Sequence, residues 1–162
     1  MLLLLTIAPV KVRSQGLFDH YRDRTKSLSG GPRGGELEED RASEWLADYR
    51  EAWRSYDPSA IGALFSEDAS YRYHPYDEPL QGREAIVASW LEERDVEGTY
   101  DGLYEPLVVT GDVVVATGTS TYKAADGSVD RVYDNCFIIR FDDQDRCTEF
   151  TEWFMERPRS TG

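Results

Sequence analysis

The chain has 162 residues, 12 % of them aromatic, and a formal net charge of −13. This length suits about one domain with its own core, and the aromatic content argues against a disordered chain. Residues 41–162 carry the whole charge excess, with 12 Lys/Arg against 25 Asp/Glu. Such a field repels nucleic acid and anionic membranes, so the sequence predicts neither as a partner.

Residues 1–40 are predicted to be a mobile N-terminal extension. Their apolar start, Met1–Val10, is shorter than the roughly 20 residues that span a bilayer, and no basic segment precedes it. Ser27–Gly35, SLSGGPRGG, has the composition of a linker. One domain over residues 41–158 and a tail over 159–162 are expected to follow, in a cytoplasmic protein. A weak export or anchoring role for the extension is the alternative, and whether the cellular protein contains it stays open.

Three helices are predicted at the start of the domain. Apolar residues at helical spacing predict the first helix over Ala42–Ser55, with Tyr49 on its apolar face. Asp57-Pro58 is a typical start for a short second helix, and Gly82 precedes a third at about Arg83–Leu91. Between the second and third helices, alternation predicts a strand over Ala69–His74.

The rest of the domain is predicted to be an antiparallel meander. Its four strands are expected at residues 103–110, 113–123, 131–141 and 146–155, separated by turns rich in glycine and aspartate. Helices followed by strands indicate an α+β fold, with the helices packed on one face of a curved sheet.

These elements resemble the SnoaL-like branch of the nuclear transport factor 2-like superfamily. The resemblance covers about Ala42 to Pro158 and rests on three segments: LFSEDASYRYHP, EPLQGREAI and IIRFDDQDRCTEFTEWFMERP. It implies a cone-shaped, strongly curved antiparallel sheet with about three N-terminal helices on its concave face, and a homodimer formed through the outer face. The superfamily includes ketosteroid isomerases, polyketide cyclases, epoxide hydrolases, dehydratases and non-enzymatic members, so the fold alone selects no activity.

The ketosteroid isomerase pattern maps only partly onto this chain. Tyr49 falls where that family has its oxyanion-binding tyrosine. The place of the general-base carboxylate, just before a proline, holds His74 if one residue is inserted in the strand, and Tyr73 otherwise. The place of the protonated aspartate, which in that family donates a second hydrogen bond, holds Phe137.

His74 is therefore the candidate base, since imidazole titrates near neutral pH. Asp77, Glu78 or Glu152 could orient it. The structural alternative is a hydrogen-bonded histidine that stiffens the turn. Glu149 and Glu152 have opposite parity on the last strand, so at most one of them faces inward.

Aromatic residues are more numerous than a core of this size needs, which favours a cavity for a small, largely apolar ring compound. Tyr73, Trp90 and Trp153 are expected nearest that cavity, and Asn135 could offer its amide to a substrate oxygen. Plain core packing with a dimer surface is the alternative. Two cysteines and two histidines form no metal-ligand spacing, so neither a metal nor a cofactor is predicted, and both thiols are expected to be free.

Two functions therefore stay open. The first is cofactor-free proton transfer of the isomerase, cyclase or dehydratase type, with His74 as base, Tyr49 as donor to the oxyanion and Asn135 as an additional contact. It requires Tyr49 and His74 to point into one cavity. The second is a non-catalytic ligand-binding or dimerisation module.

Overall fold

The computed structural model describes residues 37–92 and 94–159. Its helices are α1 (Glu39–Ser55), α2 (Pro58–Leu64) and α3 (Arg83–Glu92), and its strands are β1 (Phe65–Arg72), β2 (Leu80–Gln81), β3 (Tyr100–Thr110), β4 (Val113–Lys123), β5 (Val129–Phe141) and β6 (Cys147–Glu156). Most of the predicted extension, residues 1–36, lies outside the described residues. Helix α1 begins three residues before its predicted start.

The predicted α+β class is confirmed. The six strands form one sheet in the order β2-β1-β6-β5-β4-β3, and helices close its inner side to give the predicted cone. Neighbouring strands are antiparallel except β1 and β6, which run parallel. A parallel pair needs a long crossover, and here β2, α3 and the β3–β5 meander together form it.

Local sequence sets the boundaries of the helices. Tyr56 ends α1 with a φ of 49°, and its N–H donates to the carbonyl of Ala52. Asp57 then caps α2, since its Oδ1 accepts a hydrogen bond of 2.7 Å from the backbone N–H of Ser59, with Pro58 in the first turn. The chain therefore reverses tightly between α1 and α2 and enters β1 directly afterwards.

The core lies between α1 and the inner face of the sheet. The ring of Tyr49 stacks on that of Phe150 with centroids 5.4 Å apart, and Trp45 meets Phe141 edge-on at 5.4 Å. Burial of each such side chain contributes roughly 1.5–3 kcal/mol, so this aromatic layer is a major source of stability. It also holds the helices at a set height over β5 and β6.

The described residues include no helix both long and apolar enough to cross a membrane. Cys136 is partly exposed and Cys147 buried, and both are free thiols, as predicted. Burial raises the pKa of the Cys147 thiol well above its ordinary value, so that group stays protonated and unreactive.

Candidate functional site

A cavity of about 560 Å³ opens between the helices and the sheet. Its walls come from α1, α3 and the three strands β4, β5 and β6. The lining residues are Trp53, Tyr73, Ser89, Trp90, Glu92, Asp95, Ser120, Tyr122, Arg131, Tyr133, Asn135, Glu152 and Phe154. This volume is in the range of small-molecule sites, and the mixture of rings with a few polar groups is typical of them.

Glu152 reaches the cavity because of the alternation along β6. Phe150 is fully buried in the core, so the residues two and four positions later, Glu152 and Phe154, face the same side. Across the sheet, Glu152 lies opposite Phe137 and Phe154 lies opposite Asn135 on β5. The strand thus carries a carboxylate from the aromatic core into the cavity wall.

Each oxygen of the Glu152 carboxylate accepts one hydrogen bond. The Asn135 amide donates from Nδ2 to Oε1 at 3.2 Å, and the Tyr71 hydroxyl donates to Oε2 at 3.4 Å. The Tyr71 hydroxyl oxygen lies 3.4 Å from the hydroxyl oxygen of Tyr49. Because Tyr71 donates its hydrogen to Glu152, it accepts from Tyr49. Two neutral donors from β1 and β5 therefore hold the carboxylate.

A second layer of hydroxyls fixes the orientation of Asn135. Ser120 Oγ donates to Asn135 Oδ1 at 3.0 Å, and this leaves the Asn135 Nδ2 protons for Glu152. Tyr104 lies 2.8 Å from Ser120, and Tyr100 lies 2.8 Å from Tyr104. Because the hydroxyl hydrogen of Ser120 is donated to Asn135, Ser120 can only accept from Tyr104. The hydrogen bonds therefore all point in one direction, from Tyr100 toward Glu152.

The environment tunes Glu152 to neutral pH. Burial raises the pKa of its carboxyl from an ordinary value of 4.5 to about 7, while hydrogen bonds from Asn135 and Tyr71 and the nearby His74 act in the opposite direction. A carboxyl with a pKa near the working pH can both accept and return a proton. Glu152 is therefore the lining group best placed for acid–base chemistry.

A second carboxylate, Asp95, stands where the C-terminal ends of α1 and α3 border the cavity. Its Oδ2 accepts hydrogen bonds from Trp53 Nε1 at 3.1 Å and from the Tyr56 hydroxyl at 2.8 Å. The backbone N–H of Asp95 also donates to the Tyr56 oxygen at 3.1 Å. The side chain is thus held in place at the cavity wall.

The structure places three of the predicted ligand-contacting residues at this cavity: Tyr73, Trp90 and Asn135 all line it. The Tyr73 hydroxyl lies 2.9 Å from Ser89 Oγ. Trp90 is 1 % exposed, and its Nε1 is buried without a hydrogen-bond partner among the described residues. Contact between these side chains and a ligand stays a prediction.

Trp153 does not line the cavity, contrary to expectation. It lies between Glu152 and Phe154 on β6, so the alternation of the strand turns it to the outer face of the sheet. There it is 38 % exposed and lies opposite Cys136. In a strand, the residue that follows a cavity-lining residue points to the opposite face of the sheet.

The structure does not bring His74 and Tyr49 together in this cavity, and their roles as base and oxyanion donor stay predictions. Neither residue is among the lining side chains. His74 Nδ1 lies 2.7 Å from Asp77 Oδ2, and its ring stacks on that of Tyr76. Tyr49 is 3 % exposed within the aromatic layer, and its hydroxyl reaches the cavity only through Tyr71.

Sequence reasoning missed Glu152 as a site residue, although a signal for it existed. Parity along β6 allows only one of Glu149 and Glu152 to face inward, and the buried Phe150 shares its parity with Glu152. Glu149 accordingly lies on the outer face, 3.5 Å from Arg140. What parity could not show is that two donors converge on Glu152.

The arrangement of acidic residues does not resemble a metal centre. The described part of the chain contains no group of three or more His, Cys, Asp or Glu side chains placed to hold a metal ion.

Comparison with known proteins agrees with the resemblance seen in the sequence. A family model described as a SnoaL-like domain matches residues 46–150. A search of curated proteins found no match.

Solved structures with the same fold match most of the chain. One is an NTF2-like protein of unknown function from Cytophaga hutchinsonii, 15% identical, covering 70% of this chain and 98% of that chain with a TM-score of 0.53. A second, from Burkholderia xenovorans and also of unknown function, is 16% identical and covers 76% and 90% with a TM-score of 0.58. A third is described as an LEH-like epoxide hydrolase from M. tuberculosis, 15% identical, covering 74% and 86% with a TM-score of 0.55. At these identities the matches show the fold alone.

Proposed function

We propose that this chain, which belongs to the SnoaL-like domain family, binds a small, largely apolar ring compound in the cavity and moves a proton to or from it through Glu152. No cofactor takes part in this step. The ring of the ligand packs against the aromatic walls, while Glu152 faces the atom that loses or gains the proton. Isomerases, cyclases and dehydratases all use such a step.

One observation carries this proposal: a carboxyl group with a pKa of about 7 stands in an aromatic cavity, with a neutral donor on each oxygen. Burial makes the carboxylate a stronger base than one in water, and the two donors hold it in one orientation. The Asn135 amide, at the same wall, is also near enough to donate to a developing negative charge on the ligand.

Activation of water by Glu152 is a second use of the same group. One solved structure of this fold is described as an epoxide hydrolase, and water attack on an epoxide needs a base to take the proton of the water. Both versions depend on the ionised form of Glu152, so one set of variants tests them together.

The generic probe 5-nitrobenzisoxazole tests for a base in this cavity. A base removes its ring C–H proton, the N–O bond breaks, and the electron pair ends on the oxygen of a coloured cyanophenolate, so atoms and charge balance. We expect a rate above that of the buffer, rising with pH through about 7 as Glu152 ionises. Glu152→Gln should reduce this rate by roughly 100-fold or more, the usual range for a general base.

Two controls distinguish the proposal from its alternatives. Glu149→Gln removes a carboxylate from the outer face of the same strand and should leave the rate unchanged. His74→Gln should also leave it largely unchanged. A rate that survives Glu152→Gln and disappears with His74→Gln would identify the histidine as the base. No rate above buffer in any variant would favour the non-catalytic binding module.

A further inference from the structure

We infer that the ligand of this cavity carries a protonated amino group, which Asp95 binds at the cavity wall while the rest of the ring compound extends toward Glu152. This inference rests on the proposed function for the use of the cavity and adds the charge of the ligand to it.

The charges of the lining favour a cation. Three carboxylic acids, Glu92, Asp95 and Glu152, face a single basic residue, Arg131. Arg131 is already compensated, since its Nε donates to Asp130 Oδ2 at 3.1 Å. The excess of negative charge would repel an anionic ligand and attract a protonated amine.

Asp95 has an acceptor left for such an amine. Both side-chain donors that reach it, Trp53 and Tyr56, use the same oxygen, Oδ2. Oδ1 accepts no hydrogen bond from any residue in the described ranges. Trp53 and Tyr56 already hold the Asp95 carboxylate in place. Binding of a ligand to Oδ1 therefore costs little conformational entropy of this side chain.

Aromatic rings surround this position. Trp53, which binds Asp95, also lines the cavity, as does Tyr122. Burial is the main cause that raises the pKa of the Tyr122 hydroxyl, and the negative charge of Asp95, which lines the same cavity, raises it further. Aromatic faces attract cations, and Tyr122 already does so, because the Arg131 guanidinium carbon lies 5.4 Å from its ring centroid.

A neutral ligand fits these features less well. A bound ring would exclude water from Oδ1 of Asp95, and a carboxylate oxygen that loses water without gaining a donor is unfavourable. An ammonium group replaces the lost water with a charge-assisted hydrogen bond. Glu152 is held by Asn135 and Tyr71 and stays available for the proton of the reacting atom.

Three probes with the same ring test the charge of the ligand: 2-phenylethylamine, 2-phenylethanol and phenylacetate. Binding to the full chain can be followed by tryptophan fluorescence, because Trp53 and Trp90 line the cavity. We expect the amine to bind at least about tenfold more tightly than the alcohol, and phenylacetate to bind most weakly. The preference for the amine should fall as salt is added.

Variants locate the recognition. Asp95→Asn should remove most of the preference for the amine, measured as the ratio of its affinity to that of the alcohol. Asp143→Asn, which removes the same charge from an exposed turn, should leave the preference in place. A melting temperature for each variant shows that it is folded. The ranking of the three probes on the wild-type protein tests the inference even if a variant does not fold.

The inference is overturned if the alcohol or phenylacetate binds as tightly as the amine, or if no probe binds. It is also overturned if Asp95→Asn, while folded, keeps the full preference. In the first case, loss of the 5-nitrobenzisoxazole reaction in Glu152→Gln would still support the proposed function, so the two failures can be told apart.

Discussion

Asn135 and Glu152 approach each other from neighbouring strands, with Nδ2 of the amide 3.2 Å from Oε1 of the carboxylate. This hydrogen bond stabilises the ionised form of Glu152, whereas burial of the side chain favours its protonated form. The opposing effects leave the pKa of Glu152 near neutrality rather than far above it.

The stability of the protein should fall as pH rises from about 4.5 to about 7, because of Glu152. The folded state, with its raised pKa, binds more protons than the unfolded state in this window. Ionisation of Glu152 lowers the free energy of unfolding by at most about 3 kcal/mol, and by less if water in the cavity solvates the carboxylate. Denaturant unfolding at several pH values should show a weaker decrease for Glu152→Gln than for the wild type.

Two groups near Glu152 need a control in that experiment, Tyr71 and His74. Tyr71 stays protonated because burial raises its pKa well above its ordinary value. His74 can be removed as His74→Gln, and the difference between wild type and Glu152→Gln should persist in that background. Equal pH slopes with and without Glu152 would contradict the prediction.

Asn135→Ala should raise the pKa of Glu152. The variant removes the donor to Oε1 and leaves Ser120 without its acceptor, so the ionised carboxylate loses stabilisation. The midpoint of the rate of 5-nitrobenzisoxazole cleavage against pH should move upward by roughly one unit. A midpoint that stays in place would show that this hydrogen bond does not control Glu152.

His74→Ala should have a small effect on stability, within about 1 kcal/mol. The pair His74–Asp77 is partly exposed, and such pairs contribute little. Thermal unfolding of His74→Ala against Asp77→Ala provides the test, because the two variants should lose similar amounts if the pair acts as a unit. A large loss in only one of them would point to another role for that residue.

Gly118→Ala should destabilise the fold by about 3 kcal/mol or more. A Cβ atom at this position would overlap the backbone oxygen of Leu103 and the ring of Tyr104, so β3 and β4 would have to separate. Gly62→Ala is the matched control, since its Cβ would meet only Arg83 at 3.6 Å and Val87 at 3.8 Å. In the helix α2 this change should stabilise by about 0.5–1 kcal/mol. Similar melting temperatures for the two variants would disagree with the prediction.

The homodimer implied by the family resemblance stays a prediction, and the outer face of the sheet is where it would form. Ile138, Trp153 and Met155 are exposed there at 40%, 38% and 69%. Light scattering coupled to size exclusion should give the mass of a dimer for the wild type and of a monomer for Trp153→Glu. Tyr76→Ala, which changes an exposed residue away from the sheet, is the control and should remain dimeric. A monomeric mass for the wild-type protein would refute the predicted homodimer.

Much of the fold was predictable because it depends on short-range patterns. The N-cap at Asp57 appears in the structure where the sequence predicted it. Gly127, with a φ of 82°, lies in the glycine- and aspartate-containing turn predicted between residues 123 and 131. Strand β4 has its predicted bounds, Val113–Lys123. Alternation and turn chemistry act within a few residues, so they can be read without knowledge of the partner strands. The parallel β1–β6 pair was not predicted, since it joins the two ends of the domain.

The sequence by itself determined the α+β class and the family resemblance, and it predicted an aromatic cavity near Tyr73, Trp90, Trp153 and Asn135. Only the tertiary structure decided which acid stands in that cavity. Parity allowed Glu149 or Glu152, and the position of His74 suggested a base at the end of β1. Placing Glu152 between Asn135 and Tyr71 depends on the register of β6 with β5 and β1. The pKa of a carboxyl depends on burial and donors from other elements, and no local pattern records these.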